Sequence, residues 1–163
     1  MELPTEWAGQ SSEDRRATVL LRQEYEILLD LFRQQHEPTL DPPTSREALQ
    51  QTVVALVDLI DRIEREVFFP ALPSQYAPLV RSFIAEHDDL SRCLAGLRRT
   101  ANAARANATG ERLEQLAREH VTHQETLLFP AFEREHPELN RELYDRLVAE
   151  RARLAHQAAE NAL

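Results

Sequence analysis

Lysine is missing from this chain altogether, so every basic residue is an arginine. Glycine is nearly as scarce, with 3 among 163 residues. So few glycines argue against a sheet fold built on tight turns and favour helix. The single cysteine, Cys93, excludes an internal disulfide framework and fits a reducing compartment. There is no glycine-rich phosphate loop, no Ser-His-Asp order and no CxxC pair. Nucleotide binding and hydrolase chemistry are therefore set aside. The formal charge is −9 and the arginines form no basic run, which argues against nucleic acid or an anionic membrane as partner. No N-terminal stretch has the apolar core of a signal peptide, and no run approaches transmembrane length. A soluble, cytoplasmic protein is the expectation.

What remains is a helical alphabet. Apolar residues make up 42% and charged residues 29% of the chain, enough for one domain over residues 1–163 with a sizeable core. The 9 prolines fall between periodic segments and act as punctuation. Residues 1–11 have no clear period and read as a loose arm. Apolar spacing then predicts helices near 12–36, 45–69, 74–104 and 110–129, with a fifth, appended helix over 137–160. Ser11 or Ser12 starts the first, and Thr44 with Glu47 makes a capping box for the second. Pro70 and Pro130 end the second and fourth. The stretch ANAARANATG frays the join between the third and fourth. Leu113, Leu116 and Leu127 are the expected core positions of the fourth helix. Pro137 takes a first helical position, which proline tolerates.

A repeat is hidden in this order. EREVFFPAL (64–72) matches QETLLFPAF (124–132), so Phe69 pairs with Phe129, Ile60 with His120 and Glu64 with Gln124. EYE (24–26) matches EHD (86–88), pairing Tyr25 with His87. Two such hairpins make an all-α, up-down-up-down four-helix bundle. On its core faces lie polar residues: Tyr25, Glu64, His87, His120 and Gln124. A carboxylate facing a core is costly unless it meets a cation or a donor, and two histidines at the same level offer metal-ligating nitrogens.

These segments, with EHDDL (86–90) and HVTHQETLLFPAF (120–132), resemble the hemerythrin-like (HHE cation-binding) family over roughly residues 15–150. The resemblance implies a histidine on the first helix, His-x-x-x-Glu on the second, a histidine on the third and His-x-x-x-Glu on the fourth. In the family these hold two bridged irons that bind or sense dioxygen, or handle iron and peroxide. Here Tyr25 and Ile60 stand in the places of two histidines, and Gln124 in that of a glutamate. Glu64, His87 and His120 are retained.

Three functions are open as alternatives. Glu64, His87 and His120 can hold a single non-haem iron, or a related redox metal, for redox or oxygen-linked chemistry, because two imidazoles and one carboxylate suit mononuclear iron(II). Tyr25, Ile60, His123 and Gln124 then line that site, with His123 or Glu125 as a further ligand if the fourth helix turns slightly. The partner expected is a small molecule or a dioxygen-type ligand. Alternatively, His87 or His120 ligates haem in the same core. In the third reading no metal binds, and Tyr25, Glu64, His87, His120 and Gln124 satisfy one another in a bundle that serves as an interaction module.

Overall fold

A computed structural model describes residues 15–35, 43–99 and 103–160. The expected arm at 1–11 and the start at Ser11 or Ser12 lie outside the described residues. Within them every element is helical and there is no strand. Helix α1 spans Ala17–Gln35, and Leu20, Leu21, Leu28 and Phe32 recur on one buried face at helical spacing. Helix α2 spans Pro43–Ile63. It starts two residues earlier than the sequence suggests, with Pro43 at the first position. Thr44 therefore lies inside the helix rather than capping it.

Neither Pro70 nor Pro130 stops its helix. Instead the chain opens into a π turn over Glu64–Phe68, followed by the short helix α3, Phe69–Ala71. The same event recurs 60 residues on: a π turn over Gln124–Leu128 leads into helix α6, Phe129–Glu135. Each turn closes with a hydrogen bond five residues back, Phe69 N–H to the Glu64 carbonyl and Phe129 N–H to that of Gln124. The cause is local. A proline ring collides with the carbonyl four residues before it, and a wider turn relieves the clash. The extra residue also rotates the helical segment beyond it. Leu128 is fully buried, whereas Leu127, the expected core position, is 49% exposed.

A 3₁₀ turn at Ser74–Tyr76 leads into helix α4, Ala77–Arg99, and helix α5 spans Ala103–His123. Helix α5 takes in residues 103–110 of ANAARANATG, the stretch expected to fray, because alanine is the strongest helix former; residues 101 and 102 lie outside the described residues. Helix α7, Pro137–Glu160, is the appended helix.

Helix α1 packs on α2 and α5, and α4 packs on α5 and α2, which closes a four-helix ring. Helix α7 lies outside that ring against α1, α2 and the first π turn. It is fastened by buried polar contacts. Thr18 N–H donates to Asn140 Oδ1 at 3.1 Å, and Asn140 Nδ2 donates to Thr18 Oγ1 at 3.0 Å. Arg151 pairs with the fully buried Glu24 at 2.5 Å. The apolar core forms two clusters. One is rich in phenylalanine (Phe68, Phe69, Phe83, Phe129 and Phe132). The other contains Tyr25, Leu28, Phe32, Ile60 and Leu90.

Candidate metal centre

Glu64 is the first residue of one π turn and Gln124 the first residue of the other. His120 lies one helical turn before Gln124, and His87 comes from the middle of α4. All four side chains are buried, with exposure of 1% or less. Tyr25 and Ile60 are buried beside them. The structure thus gathers six of the seven residues expected from the sequence.

The seventh, His123, does not join them. Its side chain is 50% exposed, and its Nδ1 lies 2.7 Å from Glu86 Oε1 on the surface side. It sits three residues beyond His120, about 60° off the inward direction on a helix of 3.6 residues per turn. Glu125 is also diverted: Arg22 holds both of its oxygens at 2.7 and 3.0 Å.

Glu64 Oε2 lies 2.7 Å from His87 Nε2 and 3.3 Å from His120 Nε2, and the two nitrogens are 3.2 Å apart. A metal with bonds of about 2.1 Å holds adjacent ligands about 3.0 Å apart in an octahedron and about 3.4 Å apart in a tetrahedron. The triangle therefore has nearly the dimensions of one face of a coordination sphere. Among the described residues, Glu64, His87 and His120 are the group of three ligating residues able to hold a metal ion.

Carboxylates that the sequence did not single out hold the outer edges of both imidazoles. His87 Nδ1–H donates to Asp61 Oδ1 and His120 Nδ1–H to Glu86 Oε2, each at 2.6 Å. Fixing the far nitrogen this way orients the ring and aims the near nitrogen at the site, as in metal-bound histidines generally. Asp61 is in turn held by Arg65 at 2.7 Å. The available signals were Asp61 one turn before Glu64, and Glu86 immediately before His87 in EHDDL.

Without a cation, protons hold the cluster together. Burial would raise the Glu64 pKa, but the imidazoles of His120 and His87 packed against it outweigh burial and hold the carboxyl at about 2. Burial would lower the His87 pKa, but Asp61 and Glu64 push it up to about 9. His120 is desolvated too, yet Glu64 and Glu86 raise it while the His87 charge opposes them. Two facing nitrogens 3.2 Å apart do not both carry inward protons, so the pair titrates as a unit with one proton between them. We place that proton on His87, which leaves His120 Nε2 free to accept from the Gln124 amide 2.9 Å away.

The family model described as hemerythrin HHE cation binding domain matches residues 16–132. The chain belongs to the hemerythrin HHE family. No curated protein and no solved structure matches it. Helix α7 lies beyond the matched segment. Cation binding is the activity that this family description carries, and the buried Glu-His-His group is where this chain can hold a metal. No helix among the described residues is long and apolar enough to cross a membrane.

Proposed function

We propose that the chain binds one non-haem iron, or a related redox metal, through Glu64, His87 and His120. The centre would serve redox or oxygen-linked chemistry with a dioxygen-sized partner. The triangle of Glu64 Oε2, His87 Nε2 and His120 Nε2, with edges of 2.7, 3.2 and 3.3 Å, carries the reading. One carboxylate and two imidazoles leave coordination positions open on iron(II), and a bound iron supplies one-electron redox chemistry there. The chain's own residues do the rest. Asp61 and Glu86 orient the imidazoles. Ile60, Phe69 and Phe83 exclude water. The imidazoles give up their inward proton when a cation enters.

We expect one metal per chain, because one carboxylate and two imidazoles are too few ligands for two irons and Ile60 offers no donor. Haem is disfavoured by volume. The void bounded by Tyr25, Ile60, His87 and Leu90 is about 10 Å³. That is the lower limit for one water and far below a porphyrin.

The metal-free module keeps one observation in its favour, because Glu64, His87, His120 and Gln124 do bond one another. Anaerobic purification followed by metal analysis and a visible spectrum separates the readings. One equivalent of iron with no Soret band is the expected result. Two equivalents contradict the metal count, and a Soret band points to haem. A colourless protein that resists reconstitution with iron(II) defeats the metal reading.

A further inference from the structure

Gln124 uses only part of its hydrogen-bonding capacity. Its Nε2 donates to Glu64 Oε1 at 2.9 Å and lies 2.9 Å from His120 Nε2. Its Oε1 is buried with no hydrogen-bond partner. An orphaned buried carbonyl of this kind is a free-energy cost to the fold. The cost falls on a residue that begins a π turn and whose amide nitrogen touches two of the three candidate ligands.

We propose that Gln124 is a fourth protein ligand, through Oε1, and that its neutrality biases the site toward divalent over trivalent cations. This inference rests on the metal-binding reading above. Turning the amide half a revolution about its Cγ–Cδ bond exchanges nitrogen and oxygen, a change of small steric consequence. Oxygen then takes the place now held by Nε2, 2.9 Å from His120 Nε2 and from Glu64 Oε1. The 2.9 Å to His120 Nε2 matches the roughly 3.0 Å between adjacent ligands of a metal with 2.1 Å bonds, while Glu64 presents its other oxygen, Oε2, to the triangle. The two orientations answer two states of the site. Without a cation, the Glu64 carboxylate needs a donor and draws the nitrogen inward. With a cation bound, an inward N–H is repelled and the carbonyl, a good ligand for hard divalent ions, is attracted. Glu64 remains the only anionic member of the four. A glutamate here would add a second anion in contact with the ion, beyond the outer carboxylates Asp61 and Glu86; the neutral amide withholds that charge, and a trivalent ion loses more by it than a divalent one.

The test uses the full chain, cobalt(II) as a coloured divalent probe, and the iron-loaded protein for a midpoint potential. Gln124→Leu should weaken cobalt(II) at least tenfold and change its visible ligand-field bands, because a donor is lost. Gln124→Glu should bind cobalt(II) more tightly than wild type. It should also shift the ferric-to-ferrous preference of bound iron at least tenfold toward ferric, a midpoint about 59 mV lower. A Gln124→Leu protein with wild-type affinity and spectrum overturns the inference while leaving the metal site standing. If Gln124→Leu does not fold, Gln124→Glu decides. An unchanged cobalt spectrum and midpoint then overturn the inference. Wild-type protein that takes up neither cobalt(II) nor iron(II) defeats the metal reading itself, and this inference with it.

Discussion

Protons and metal compete for the same buried atoms, so the metal-free and metal-loaded proteins should respond to pH in opposite directions. In the metal-free protein, His87 is raised from 6.5 to about 9 by Asp61 and Glu64. A group whose folded pKa is raised stabilises the fold fully below its unfolded pKa, near 6.5, and loses that contribution as pH rises through 9. Glu64 is lowered from 4.5 to about 2, so its contribution is present above 4.5 and lost as pH falls through 2. Both shifts describe one ion pair and are counted once. Moving from 6.5 to about 9 corresponds to about 3 kcal/mol at 1.36 kcal/mol per tenfold. Stability of the chelator-treated protein should therefore plateau between pH 4.5 and 6.5 and decline by an amount of that order toward pH 9 and above. For a domain of this size the melting temperature should fall by roughly 6–12 °C. Metal binding requires neutral imidazole, so the stabilisation added by iron(II) or cobalt(II) should grow across the same window. Thermal melts at half-unit pH intervals, with chelator and with metal, measure both slopes. A metal-free melting temperature that stays flat or rises between pH 6.5 and 9 refutes the charge-paired His87. Parallel slopes in the two sets refute competition at this site.

Further outcomes hinge on particular side chains. Leu128→Ala should destabilise by about 2–5 kcal/mol and Leu127→Ala by under about 1 kcal/mol, read by urea denaturation, because the π turn buries only the former. Equal losses would remove the register shift. Asp61→Asn should lower metal affinity by roughly 10–100-fold with helix content unchanged, because the His87 ring loses its anionic partner. Unaltered affinity in a cobalt(II) titration would mean that Asp61 does not act through His87. Tyr25 Oη is buried without a partner, and the phenol pKa is raised well above its usual value by burial and by the Glu64 charge. If a ferric ion recruits this phenolate, oxidised iron-loaded protein should show a visible charge-transfer band that Tyr25→Phe bleaches. A band that survives the substitution argues against the phenolate.

Much of the fold was legible because amphipathic periodicity and proline placement are local signals. The 60-residue spacing between EREVFFPAL and QETLLFPAF carried through to two π turns at identical positions. What proline does to a helix was the illegible part. Read as stops, Pro70 and Pro130 left Leu127 inside, whereas a widened turn relieves the proline clash and brings Leu128 in instead. The inward-facing Glu64, His87, His120 and Gln124 were legible as polar residues on apolar faces. Asp61 and Glu86 were not, since on a helix wheel they look like any solvated carboxylate. Their role depends on which imidazole edge faces them across a helix interface, and that is a tertiary fact. His123 misled for the opposite reason. It shares a motif with His120 but not a direction.

The cluster also divides the core. Tyr25, Leu28, Phe32 and Leu90 belong to one apolar group, and Ile63, Phe68, Phe69 and Phe129 belong to the other. Glu64 and the five buried residues around it lie where these groups approach each other. As a device for stability alone this layer is poor. Apolar residues of similar volume in place of a buried ion pair are often neutral or stabilising by about 1–4 kcal/mol. The arrangement also leaves Tyr25 Oη and Gln124 Oε1 without partners, and a network kept only to satisfy itself has no use for orphaned oxygens. On the proposed metal reading both would become useful, since each is an oxygen donor beside the candidate nitrogen and carboxylate ligands. The unsatisfied atoms, more than the satisfied ones, favour a metal centre over a self-contained hydrogen-bond network.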